Sequence, residues 1–288
     1  MSDGNGLINL GDLSKPATVL IERISDAVGG LAKPWQITRV ARAEARADVI
    51  RAQTRAEISE IEERAILRMV REEGQKQENM ENITALAMPL VSSEAEPEKV
   101  EKDWLAHFFD KSRLVSDVEM QAIWANILSG EANKPGSFAR KTVDIVSSLE
   151  KADAHLFANL CKFSMELEVF SPVIPELGNK IFSKSDINFS TLSHLDDIGL
   201  IKFNSITGFT FQNVRKYSTV RYAGVDLVME LPDARSDVEI GPCMFTKAGR
   251  ELASVCEIRP DNGYLDYIIG TFANRSIIFS SPVFGGFR

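Results

Sequence analysis

The residues able to do chemistry in this chain are few and scattered. Three histidines, His107, His155 and His194, fall on three different expected helices, and no HExxH or HxH spacing links them. The three cysteines, Cys161, Cys243 and Cys256, form no CxxC pair, which argues against a zinc knuckle or a disulfide framework and reads as buried free thiols. No GxSxG elbow and no GxxxxGK[ST] loop occurs, and Gly29-Gly30 lacks the preceding strand that a dinucleotide site needs. Asp196-Asp197 and Glu62-Glu63 are adjacent in sequence, so their carboxylates point to different faces and make poor acid/base dyads. The expectation is a protein with no catalytic, cofactor-binding or metal site.

Attention therefore moves to surfaces. The 288 residues are 44% hydrophobic with net charge −8, enough apolar content for a folded core and for more than one unit. The acidic, polar start MSDGNGLINLGDLSK is unlike a signal peptide, and no apolar run is long enough to span a membrane, so a cytoplasmic protein is expected.

Four segments follow from composition. Residues 1–36 read as a flexible start and a short amphipathic helix, with Pro16 in its first turn and Val19, Leu20, Ile21, Ile24, Val28 and Leu31 near a 3.6-residue period. Residues 37–91 read as a long charged helix: from Ile37 to Asn82 there is no proline and only one glycine, Gly74, where a break is possible. Residues 92–168 read as a helical bundle. Residues 169–288 read as an α+β module in which Asn188–Ile198 is a helix closed by Gly199. There Leu200–Phe203 and Gly208–Phe211 make the helix–strand–turn–strand layout of a winged helix. The fold class expected is mainly α: a long N-terminal helix and a bundle, then a winged-helix-like module.

On the long helix, Ile50, Thr54, Ile58, Ile61, Ala65 and Met69 recur at spacings of four and three, a narrow stripe without a strict heptad. Residues 33–55 carry six basic against two acidic side chains, and residues 57–81 carry four basic against eight glutamates. A rod polarised in this way suits staggered or antiparallel self-pairing. Ile50, Ile58, Ile61 and Met69 are thus candidate self-association residues, and a homo-oligomer with a further protein partner is the leading reading. Arg39, Arg42, Arg46, Lys202, Arg215 and Lys216 are candidates for an anionic partner. Nucleic acid is disfavoured because the expected recognition helix, Ser190–Ile198, has no Arg or Lys and two acids. A peripheral membrane contact through helix 17–32 is disfavoured by Glu22 and Asp26.

Two stretches carry a resemblance: Trp124-Ala125-Asn126-Ile127-Leu128-Ser129-Gly130-Glu131 with Pro135-Gly136-Ser137-Phe138-Ala139-Arg140-Lys141-Thr142, and Leu13-Ser14-Lys15-Pro16 running on through Gly29-Gly30 to Pro34-Trp35 and the Ala/Arg/Glu helix. Together they resemble a bacterial family of domains of unknown function, loosely akin to abortive-infection "alpha" proteins of phage defence. The likeness extends to Phe245-Thr246-Lys247-Ala248-Gly249-Arg250-Glu251-Leu252. It implies a defence context and brings no catalytic residue. Read from the residues alone, the first motif is structural: Met120, Ile123, Trp124, Ile127 and Leu128 make one apolar face, Gly130 is the expected C-cap, and Pro135-Gly136 a turn.

Overall fold

The computed structural model describes residues 13–29, 60–256, 258 and 262–280. The chain divides into two compact units, residues 1–147 and 148–288, so the expected bundle of 92–168 is parted after its third helix.

The first unit is helical. Helix α1 (Lys15–Val28) starts where the Ser14 hydroxyl accepts the Ala17 N–H, with a proline in its first turn, and ends on Gly29 in the left-handed conformation. Its Ala17, Leu20 and Ile24 are buried, and α1 packs on α3 (Lys102–Ser112). The apolar face that could have lain on a membrane is therefore occupied by the bundle. Helix α2 (Glu60–Ala87) runs unbroken through Gly74. Helix α4 (Val118–Asn133) is capped by Asp117, whose carboxylate accepts from Met120 N. It also continues through Gly130, so that glycine is no C-cap. Helix α5 (Arg140–Ser147) completes the unit. Its core is aromatic: Phe108 meets Trp104 in a stack and Trp124 edge to face, with 5.1 Å between centroids in each case.

The second unit corrects the expected fold class, because it is built on antiparallel sheet and the protein is mixed α/β. Helix α6 (Lys151–Cys161) leads into strands β1 (Ser164–Glu166) and β2 (Phe170–Pro172). Then come α7 (Lys180–Ser183), α8 (Phe189–Ile198) and β3 (Ile201–Phe203). Strands β4 (Phe209–Tyr222) and β5 (Val225–Gly241) form a long ribbon, followed by β6 (Cys243–Phe245), α9 (Lys247–Ala253), α10 (Asn262–Ala273) and β7 (Ile278–Ser280). Five strands pair in the order β2-β1-β4-β5-β7, and β3 pairs with β6 in a separate two-stranded sheet. The winged-helix layout fails at one point. The strand after Gly208 does not turn back on β3; it pairs with β5, and Ile201 lies opposite Phe245.

The ribbon turns at Ala223-Gly224, both at positive φ (45° and 83°), between the facing residues Tyr222 and Val225. Two positive φ values in a two-residue connection match the right-handed twist of the strands it joins. Helix α10 lies on the sheet and buries Tyr264, Ile268 and Phe272. The Tyr264 hydroxyl donates toward the carbonyls of Val173 (2.9 Å) and Phe163 (3.0 Å), which ties the helix to both ends of the β1–β2 hairpin.

Candidate interaction surface on the long helix

Helix α2 has two kinds of turn. From Asn79 onward, Asn79, Ile83, Thr84 and Ala87 are buried against α4. The polar contact is specific: Asn79 Nδ2 donates to the Arg113 carbonyl (2.9 Å), and Gln121 Nε2 donates to Asn79 Oδ1 (3.3 Å) and to the Val115 carbonyl (2.8 Å). At the other end Asn133 Nδ2 donates to the Leu90 carbonyl (3.0 Å), so α2 and α4 run parallel. From Glu60 to Glu78 no residue of α2 is buried. That stretch extends about 28 Å at ~1.5 Å per residue. It presents Ile61 at 70% and Met69 at 57% exposure, with Ile66, Leu67 and Val70 half-buried. Leu114 (69%) and Val118 (71%), beside the Arg113 and Val115 carbonyls that receive the Asn79–Gln121 bonds, add apolar surface in the loop before α4 and at its first residue. Its ion pairs are exposed and local: Arg64–Glu60 at 3.7 Å, Arg68–Glu72 at 3.4 Å and Lys76–Glu73 at 2.6 Å. Such pairs contribute a few tenths of a kcal/mol apiece, about enough to keep the turns helical.

Of the self-association residues, Ile61 and Met69 lie on this surface, while Ile50 and Ile58 fall outside the described residues. So do Arg39, Arg42 and Arg46 of the anionic-partner set. Lys202 is exposed on β3, and Arg215 and Lys216 are neighbours on β4, in a different sheet. Lys216 faces Glu230 at 3.6 Å and lies over the Tyr217 ring. Arg215 stands directly opposite Arg235 across the ribbon. Arg235 donates to the Asn213 carbonyl, and Arg215 has no acidic partner among the described residues.

The motifs that carry the resemblance are explained by packing. Glu131 is buried, and its two oxygens accept the N–H groups of Gly136 (2.7 Å) and Phe138 (2.9 Å), closing the loop after α4. Trp104 Nε1 donates to the Phe138 carbonyl at 2.7 Å and locks that loop onto α3. A glutamate followed five and seven residues later by backbone donors is invisible as a pattern, which is why the motif reads as apolar face and turn alone. In the second unit Thr246 caps α9 through Gly249 N (3.0 Å), and its hydroxyl donates to the Gly199 carbonyl (2.7 Å). Gly249 has no room for a side chain, because a Cβ there would lie 2.0 Å from the Leu200 carbonyl oxygen.

Two of the histidines find aspartates far off in sequence. His107 Nε2 is 2.9 Å from Asp144, and His194 Nε2 is 2.6 Å from Asp153. Burial alone would raise the Asp153 carboxyl, but the His194 contact and the Glu150 N–H outweigh it and hold the group below its usual value. Among the described residues no three His, Cys, Asp or Glu side chains group as a metal site would require. None of the described helices is long and apolar enough to cross a membrane. A pocket between the sheet and α10 encloses about 340 Å³ including space open to solvent, lined by Met165, Val220, Met229, Ile268, Phe272 and Phe279 among others. Its lining is wholly apolar, so it lacks the converging polar groups that orient a substrate.

No curated protein and no solved structure matches the chain. A family whose description reads "protein of unknown function (DUF2806)" matches residues 63–269. That span opens on the exposed turns of α2 and closes within α10, taking in both units. The chain belongs to the DUF2806 family.

Proposed function

We propose that this is a non-enzymatic interaction protein that self-associates through the exposed turns of α2. One observation carries the reading: a helix held firmly from Asn79 to Ala87 continues to Glu60 with nothing buried and with Ile61 and Met69 open to water. Leaving such side chains exposed forfeits up to about 1.5–3 kcal/mol apiece relative to full burial, so a covering surface is favoured. A second copy is the covering surface of choice, because the acidic stretch 57–81 and the basic stretch 33–55 of another chain are complementary in charge. The resemblance of the two sequence motifs to abortive-infection proteins is what suggests anti-phage defence as the proposed setting. Light scattering after size exclusion tests the assembly: the wild type runs as a dimer or larger at tens of micromolar, and a strict monomer overturns the reading.

A second reading rests on Arg215 opposite Arg235. Like charges facing across a ribbon are unfavourable alone and favourable around an anion, so this face suits a nucleic-acid backbone. A gel shift whose strength falls with salt and is lost in Arg215→Ala supports it, and no shift at low salt removes it.

A further inference from the structure

We infer that the open face of the five-stranded sheet binds a single-stranded nucleic acid, one base stacking on Tyr217 while a phosphate lies at Arg215 and Arg235. This rests on the anion-binding reading of that arginine pair, and adds the kind of strand the face takes. Side chains directly opposite each other in paired strands share a face, and successive residues alternate between faces. The register therefore sorts the sheet into two sides. Val220 with Leu227, and Ser218 with Met229 and Phe279, form rows on one side. Val220, Met229 and Phe279 line the pocket against α10, so that side is the covered one.

The alternate rows make up the other side. Glu166, Arg221 and Asp226 stand in line across β1, β4 and β5. The next rows are Thr219, Val228 and Ser280, then Tyr217, Glu230 and Ile278, and Arg215 with Arg235 ends the series. Between the last two rows residues 231–234 of β5 stand against the single Lys216, so the rows are continuous along β4. On β4 this side is open to water: Arg215, Tyr217, Thr219 and Arg221 are exposed, Tyr217 at 61%.

The cations here differ in how far they are already committed. Arg221 is taken by Asp226 (2.6 Å) and Glu166 (3.9 Å). Lys216 is held by Glu230 at 3.6 Å and stands over one face of the Tyr217 ring, 5.6 Å from its centre, which leaves the opposite face for a base. Glu230 also accepts the Tyr217 hydroxyl at 3.1 Å and so steadies the ring. Arg215 and Arg235, one row away, have no acidic partner among the described residues, and Arg235 donates to the Asn213 carbonyl. Along β4 neighbouring rows are about 6.6 Å apart, at ~3.3 Å per residue. That is roughly twice the ~3.4 Å step between stacked bases. A base that reaches the ring has left its own stack, which a single strand permits and a duplex resists. Two uncommitted cations imply modest affinity, with log K falling against log salt at a slope of about −1.4, or ~0.7 per phosphate neutralised.

The test is fluorescence anisotropy at low salt, titrating the full-length protein into labelled oligouridine, labelled oligothymidine and a labelled duplex of equal length. The expected result is that single strands bind more tightly than duplex and that Arg215→Ala abolishes binding. Tyr217→Ala should weaken it about 5- to 100-fold, while Tyr217→Phe stays within about twofold. Circular dichroism checks each fold, and Tyr217→Leu, which keeps apolar bulk and loses the ring, replaces Tyr217→Ala if that variant folds poorly. A preference between the two single strands assigns RNA or DNA and supports the inference either way. Duplex bound as tightly as single strands overturns it, and so does single-strand binding that is indifferent to loss of the ring. If Arg215→Ala still abolishes binding in those cases, the arginine reading stands without the stacked base. No binding of any of the three oligonucleotides removes both.

Discussion

The two halves of α2 share one backbone and part company in what their side chains meet. From Asn79 to Ala87 the helix is fixed by apolar burial and by the Asn79–Gln121 pair, with both partners supplied by α3, α4 and the loop between them. From Glu60 to Glu78 the composition is just as helix-forming, and the ion pairs Arg64–Glu60, Arg68–Glu72 and Lys76–Glu73 lie within the helix itself. Intrinsic propensity explains why the second half is helical, and it does not explain why that half carries Ile61 and Met69. A helix in which propensity and burial agree is structure; one in which apolar residues lack a core is the surface that the proposed self-association would cover.

The sharpest way to break this comparison is at its foundation. Trp124 is buried under Phe108 in the α3–α4 layer, and Trp124→Ala should destabilise the first unit by about 3–5 kcal/mol, read by urea unfolding. If it does, the anchored half has a rigid platform; an unchanged midpoint would mean that α2 docks on something soft. Within α2 itself, Ile83→Ala should cost about 2–5 kcal/mol, because Ile83 is fully buried. Ile61→Ala should change folding by no more than about 0.5 kcal/mol. Equal costs at the two positions would abolish the distinction between the halves. Glu131→Ala comes next. It leaves the Phe138 N–H buried without its acceptor, at about 1–3 kcal/mol, while the N–H of exposed Gly136 can turn to water.

Much of this was legible in residue order, and the reasons are local. Pro16 opens one helix, and Asn188 and Gly199 bound another, where expected, since a cap is a chemical demand of a few consecutive residues. The sheet was legible only in fragments. The turn at Ala223-Gly224 does not advertise itself as Asn-Gly would, and the register slips between Phe211 and Val214 blur the alternation that marks a strand. Pairing partners were out of reach altogether: that β3 chooses β6 over β4 depends on a strand forty residues away. The same holds for the candidate sites. Ile61 and Met69 were readable as a stripe, whereas Glu131's two donors and the His194–Asp153 pair exist only once the chain has folded.

An acid titration gives a smaller effect and tests whether the second unit can be perturbed while both halves of α2 are left alone. Asp153 has a folded-state pKa below its unfolded value, so the stability it supplies is present above the ordinary carboxylate range. That stability is lost as pH falls from about 4 through the depressed value. Asp153→Asn should flatten the acid limb of the second unit's stability curve and leave the oligomeric state unchanged. A shift in assembly on this substitution would tie the histidine–aspartate pair to the interface.

The least expected effect on folding belongs to the substitution with the greatest expected effect on assembly. Replacing Ile61 and Met69 together by aspartate puts two charges on positions that are mostly in water, so little burial is lost in the isolated chain. The nearby charges, Arg64 and Glu60 among them, interact through solvent, which keeps the change in folding stability within about 0.5 kcal/mol. In an assembled pair the same two positions are expected to be covered. Each aspartate would then have to lose its water without a partner charge, at a cost of several kcal/mol, and the interface should open. The measurement is a pair of curves on one sample: thermal unfolding, expected to be unchanged, and light-scattering mass against concentration, expected to fall to that of a single chain. Arg64→Glu on the same stretch should weaken association in a salt-dependent manner and by less, because an exposed ion pair contributes little. If the double variant assembles like the wild type, the exposed turns of α2 are not the interface. If it unfolds instead, those turns are buried within their own chain, and the contrast between the two halves of the helix disappears.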